Sequence, residues 1–177
     1  LLDDLNKTGT ANLVAQMLTE GTKNKTPIEL EEAIDNLGAS ISIRANSESI
    51  TLYANCLKSK FNETFELAKE MLLEPRWDEK EFARVKDQTI ESINRGSANP
   101  SIVADRVFDK LLYGEEHILA YPVIGTLESV KSIQIEDLKN YYNENCVKFA
   151  RANFSKNDRL NDYLSLYDIE IDPDLNF

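Results

Sequence analysis

The sequence is short of the atoms that metal and nucleophile chemistry require. It contains one histidine, His117, and two cysteines, Cys56 and Cys146, among 177 residues. A lone imidazole and two distant thiols make neither a two-histidine centre nor a Cys-x-x-Cys pair. A Gly-rich phosphate loop and a nucleophile elbow are also missing. Basic residues are scarce: 20 Lys and Arg stand against 31 Asp and Glu, for a net charge of −11. A phosphate-binding face needs clustered cations, so this balance argues against nucleic acid. It would suit a basic peptide, although acids dispersed over helix faces serve first to keep a domain in solution. No run of about 18 apolar residues occurs, so no membrane-spanning helix is expected. The opening LLDDLNKTGT is acidic and polar, unlike a secretory leader.

What remains is ordinary globular material, 42% hydrophobic and 29% charged. Its length suits one domain over residues 1–177. The punctuation between elements is legible. Gly9–Glu20 places Ala11, Val14, Met17 and Leu18 on one helical face, and Gly21 stops it. In TPIELEEAIDNLG, Thr26 is an N-cap, Pro27 the first helical residue and Glu29 the partner in a capping box, with Leu30, Ile34 and Leu37 as the apolar stripe. The period then changes to two. Ile41, Ile43 and Ala45 alternate with polar residues, as do Ile50, Leu52, Ala54 and Cys56, so two strands joined at Asn46–Ser49 form a hairpin with Cys56 a buried thiol. Helices return with FNETFELAKEMLLEP, on a stripe of Phe61, Phe65, Ala68 and Leu72. The next begins at Asp78, with Glu81 three residues on, Trp77 stapled to Phe82 and Gly96 at its end. Asn99 and Pro100 start a helix through Leu112; Thr126 caps a short turn; IEDLKNYYNEN is helical and VKFARANF a strand. Helix pairs over an antiparallel sheet define an α+β fold with helices on one face.

Several phrases in this order resemble the pitrilysin, insulinase and mitochondrial processing peptidase family of zinc metallopeptidases: GTANLVAQMLTEGTKNKTPIELEEAIDNLGASISI, LLEPRWDEKEFARVKDQTIESI, NPSIVADRVFDKLLYGEEH and YPVIGTLESVKSIQIEDLKNYY. The similarity runs over about residues 3–147, leaving a tail at 148–177. The family's strands before the first helix, and its apolar strand into Gly-Asp after the last, have no clear counterpart. The resemblance implies paired α+β units whose two halves close around a peptide. Catalysis in the family uses His-x-x-Glu-His on a helix and a distant Glu as third zinc ligand. The matching positions here are Asn12, Ala15 and Gln16, and the third-ligand region is TIESI, with Glu91. A carboxamide is a feeble zinc ligand beside imidazole, and a methyl group takes no proton. The expectation is a chain with no catalytic residue, no metal and no cofactor, silent on its own.

Other features take plainer readings. Glu91 reads as an exposed carboxylate on a polar helix and His117 as a structural or solvated residue. Asp168, Glu170, Asp172 and Asp174 lack the spacing of a calcium loop and read as a solvated end. Asn12 and Gln16 are expected to hydrogen-bond locally where a metal would sit. The resemblance then implies a non-catalytic domain that pairs with a homologous zinc-bearing half, in cis or as a subunit, to enclose a peptide substrate. The alternative is a structural or assembly subunit that uses the fold with no peptidase partner.

Overall fold

In the computed structural model, which describes residues 3–147, several helices begin where a nearby side chain offers the backbone a partner. Helix α1 (Thr10–Met17) follows Gly9, which has φ +99°. The Asp3 carboxylate accepts the Gly9 N–H at 2.9 Å and the Ala11 N–H at 3.0 Å, so the helix start is capped from a distance. Burial pushes the Asp3 carboxyl above its ordinary range even though these bonds oppose the shift. Helix α2 (Pro27–Asn36) has the full capping box of Thr26 and Glu29 with Pro27 at its first turn. Gly38 leaves it at φ +59°.

Strands β1 (Ser40–Ala45) and β2 (Ile50–Asn55) form the antiparallel hairpin, with Ile43 opposite Leu52 and Ala45 opposite Ile50. The Asn46 side-chain oxygen closes the turn, accepting the N–H groups of Glu48 and Ser49 at 2.8 Å each. Ile41, Ile43, Ala45, Ile50 and Leu52 all meet the core. The alternation fails at the end of β2: Ala54 is exposed, and Cys56 is half-buried beyond the strand.

Helix α3 (Phe61–Leu73) turns a different face inward from the one its aromatics suggest. Thr64, Leu67, Ala68 and Met71 are buried, whereas Phe61 is 40% exposed and stacks on Phe65 at 6.0 Å. The smaller side chains fit against neighbouring elements, and the two rings shield each other at the flank. Helix α4 (Glu79–Ser97) starts at Asp78, whose carboxylate accepts from Lys80 and Glu81. Its buried stripe is Phe82, Val85, Thr89 and Ile93. Trp77, at φ +52°, meets Tyr142 edge-on with ring centres 5.2 Å apart. Gly96 lies inside the last turn of α4 instead of ending it. A Cβ there would come 3.3 Å from the Arg106 guanidinium, so the glycine admits the next helix at close range.

That helix, α5 (Pro100–Tyr113), is bounded by Asn99 and Gly114. Helix α6 (Leu127–Ser132) is capped by Thr126, and α7 (Ile135–Tyr141) passes into a wider π turn, Tyr142–Val147. Val147 closes that turn; the remainder of the expected strand VKFARANF, and the acidic series from Asp168, lie outside the described residues. The architecture is α+β, with α1 in the middle against both strands, α4 and α7.

Candidate functional site

Two glycines set the position of α1. A Cβ on Gly9 would stand 2.7 Å from the Ile124 carbonyl oxygen, and one on Gly125 would stand 2.4 Å from that of Thr8. Their absence lets the 124–126 segment lie directly against the helix start. Thr8 donates its hydroxyl to that of Ser129 at 2.9 Å, and Ser129 donates back to the Thr8 carbonyl at 2.7 Å. Lys7 pairs with Asp137 on α7. At the far end Gly21, φ +97°, turns the chain into a loop held by Glu70 of α3. The Glu70 carboxylate accepts from Thr22 at 2.7 Å, Asn24 at 3.2 Å and Lys25 at 2.6 Å. Burial alone would raise this carboxyl, but the hydrogen bonds from Lys25, Thr22 and Asn24 outweigh it and hold the group below its usual range.

So placed, α1 turns its three candidate positions toward different surroundings. Ala15 is 1% exposed and belongs to the hydrophobic core. The Gln16 amide reaches across to α4 and donates to the Thr89 hydroxyl at 3.5 Å, a long contact; Thr89 itself donates to the Val85 carbonyl at 2.9 Å. The Asn12 amide nitrogen is buried and has no hydrogen-bond partner. Local repair of the polar face is therefore made at Gln16 and not at Asn12.

Glu91 does not join them. Its side chain is 71% exposed, and it pairs along the helix with Arg95 at 3.7 Å. The α4 side chain that meets α1 is Thr89, two residues earlier. The spacing of Phe82, Val85, Thr89 and Ile93 was the available signal for it, because it puts Thr89 on the inward stripe. The roles of Asp3 and Glu70 were not readable in that way; each bonds a segment that only the folded chain brings near.

His117 is exposed on the loop after α5, accepts the Leu119 N–H on Nδ1 at 3.2 Å and stacks on Tyr113. Both cysteines are free thiols, and burial pushes Cys146 up to about 11. A thiol so shifted is protonated and a poor nucleophile at neutral pH.

A zinc ion does not fit this donor set. The three positions hold two neutral amides, one of them turned to a threonine, and a packed methyl group that takes no proton. Among the described residues no group of three or more His, Cys, Asp and Glu side chains could hold a metal ion.

The element order and packing define a metallopeptidase-like α+β unit. The model of the insulinase family, peptidase family M16, matches residues 1–123, and the chain belongs to that family. It is similar to a protein of Bacillus subtilis named an uncharacterized zinc protease, YmxG, at 26% identity over 136 residues, covering 77% of this chain and 33% of that protein. A Helicobacter pylori relative named a non-peptidase homolog is 26% identical over 141 residues, covering 80% and 32%. The mitochondrial-processing peptidase subunit beta of Caenorhabditis elegans is 26% identical over 136 residues, covering 76% and 29%. Among solved structures, a peptidase M16 inactive domain from Pseudomonas fluorescens superposes with a TM-score of 0.73 at 26% identity, over 77% of this chain and 33% of that one. The chain thus spans about a third of the length of these relatives.

Proposed function

We propose that this chain is a non-catalytic unit of an insulinase-type peptidase, silent by itself, which pairs with a zinc-bearing half and forms part of the wall that encloses a peptide. The reading rests on the resemblance, which sets Asn12, Ala15 and Gln16 at the positions where the family's zinc helix needs His, Glu and His. Without imidazole there is no metal-bound water, and without a carboxylate at position 15 nothing would take its proton. The names of two similar proteins, an inactive domain and a non-peptidase homolog, support it. The zinc of the assembly belongs to the partner, in cis or as a separate subunit.

The test is zinc content and peptide cleavage by the purified chain, then the same cleavage assay with the zinc-bearing half added. The expected result is neither metal nor turnover alone, and turnover on mixing. Stoichiometric zinc with chelator-sensitive hydrolysis by the chain alone would overturn the reading. Stable incorporation into a complex that contains no zinc half would replace it with an assembly role.

A further inference from the structure

Helix α5 is built inside out. Val103, Val107 and Leu111 follow one line along it, and Ala104, Phe108 and Leu112 the line beside that one. Together they make a continuous apolar arc, and it faces solvent: Val103 is 40% exposed, Val107 52%, Phe108 62%, Leu112 58% and Leu111 81%. Two of its four charged residues, Arg106 and Asp109, are turned toward the protein and are the least exposed positions of the helix. Arg106 reaches the Ser97 hydroxyl at 3.3 Å, and the Lys110 ammonium lies 5.6 Å over the Tyr121 ring. A surface helix adapted to water shows the reverse arrangement.

The size of the arc matters as much as its chemistry. At roughly 150–250 Å² for a large side chain, the exposed fractions of its five large residues amount to on the order of 500 Å². That is the upper end of the contiguous patch a soluble monomer carries, about 300–600 Å². It is also enough for the apolar core of a standard interface, which takes about 800 Å² from each partner.

We infer that this arc is a docking face for another folded unit of the same polypeptide or complex, one that presents an uncharged, apolar surface of its own. The inference rests on the reading of the chain as one unit of a larger peptidase assembly. Length supports this occupant: the chain covers 33% of its Bacillus subtilis relative, so a protein built to that size has ample chain to cover α5. Charge argues against a basic peptide and against a membrane. The arc has no acidic residue in a chain of net charge −11, so it does not select a basic peptide. A helix that lies on a membrane carries a rim of Lys and Arg, whereas Asp105 and Asp109 offset Arg106 and Lys110 here.

The experiment is thiol labelling in the intact protein or complex that contains this chain. Leu111→Cys and, as a control, Ile28→Cys are each made in a Cys56→Ser, Cys146→Ser background, and each rate is referred to that of the same variant in denaturant. Ile28 is itself 68% exposed, so both sites would label freely if nothing covered them. The expected result is labelling at position 111 at least about tenfold slower than at position 28. Leu111→Glu, at a solvent-facing position that tolerates charge for folding, is expected to weaken the assembly, read by sedimentation. Equal labelling rates would overturn the inference. So would protection in the isolated chain that grows with its own concentration, because the occupant would then be a second copy. The labelling reads contact and not cleavage, so protection without turnover would end the functional reading alone, and turnover on mixing without protection would end this inference alone.

Discussion

Ala15→Glu would put a carboxyl group at the position that the sequence resemblance matches to the family's general base, and in the structure that position is packed into the core. Ala15 is 1% exposed and sits in the same core as Leu13, Val14, Met17 and Leu18. The added atoms have to be accommodated in packed surroundings, at a cost of about 1–3 kcal/mol. An unpartnered buried carboxyl costs about 1–3 kcal/mol more even when neutral. The sum, roughly 2–6 kcal/mol, is a large share of the 5–15 kcal/mol typical of a domain. Urea denaturation followed by the fluorescence of Trp77, which packs on Tyr142, would measure it. The penalty should also depend on pH. Burial raises the introduced carboxyl above its unfolded value, so its stabilising share is complete only below that unfolded value, about pH 4, and is lost as pH rises through the folded one. The deficit relative to the parent should therefore widen from acid toward neutral pH. An unchanged midpoint at neutral pH would refute the reasoning, because it would mean that position 15 opens on water and a cleft survives there.

Three further substitutions test the framework that holds α1. Glu70→Ala removes the acceptor shared by Thr22, Asn24 and Lys25 and leaves the buried Thr22 hydroxyl without it, so thermal denaturation should show a loss of about 2–3 kcal/mol. Because the folded carboxyl lies below its usual range, its contribution is present above the unfolded value and lost as pH falls through the folded one, so parent and variant should converge in acid. Gly125→Ala places a methyl group 2.4 Å from the Thr8 carbonyl oxygen at φ +88° and should cost at least about 2 kcal/mol, whereas Gly38→Ala, at φ +59° with open space around it, should cost only about 1 kcal/mol; equal losses would show that the close approach at Gly125 is unimportant. Lys86→Met keeps the stem but loses the donations to the Lys131 and Ile133 carbonyls at 2.8 and 2.7 Å, and faster amide exchange in α6 with a loss of about 1–2 kcal/mol is expected.

Local chemistry explains which parts of the fold were legible in the sequence. The capping box at Thr26, the N-caps at Asp78, Asn99 and Thr126, and the helix stops at Gly38 and Gly114 each depend on residues within a few positions of one another, and all are present in the structure, whereas α1 ends at Met17, short of Gly21. The period-two hairpin is equally local. What went astray depended on distant partners. The aromatics of α3 suggested a stripe through Phe61 and Phe65, but tertiary packing chose Thr64, Leu67, Ala68 and Met71. Gly96 resembles a stop signal until α5 folds back beside it, when it becomes a gap for Arg106. The candidate positions Asn12, Ala15 and Gln16 were found by motif, but their unequal burial could not be, because it is decided by the strands, α4 and α7, all of which follow later in the chain.

That unequal burial bears on what α1 now does. In a zinc helix the polar positions must stay open to metal, water and substrate, which limits how much of the helix can serve the core. Here six of the eight residues, Thr10, Ala11, Leu13, Val14, Ala15 and Met17, are buried, and the helix touches both strands, α4 and α7. An alanine at position 15 offers packed methyl surface where a carboxylate would need hydration, and the Gln16 amide donates to Thr89 at 3.5 Å. The one discord is the Asn12 amide, whose buried nitrogen lacks a partner. Replacement by a similar-sized apolar side chain, Asn12→Leu, removes that unpaired donor, so it should leave stability unchanged or raise it by about 1 kcal/mol in thermal denaturation. A loss of more than about 2 kcal/mol would instead mean that the Asn12 amide makes a bond essential to the fold, and that this side of α1 is still a polar site.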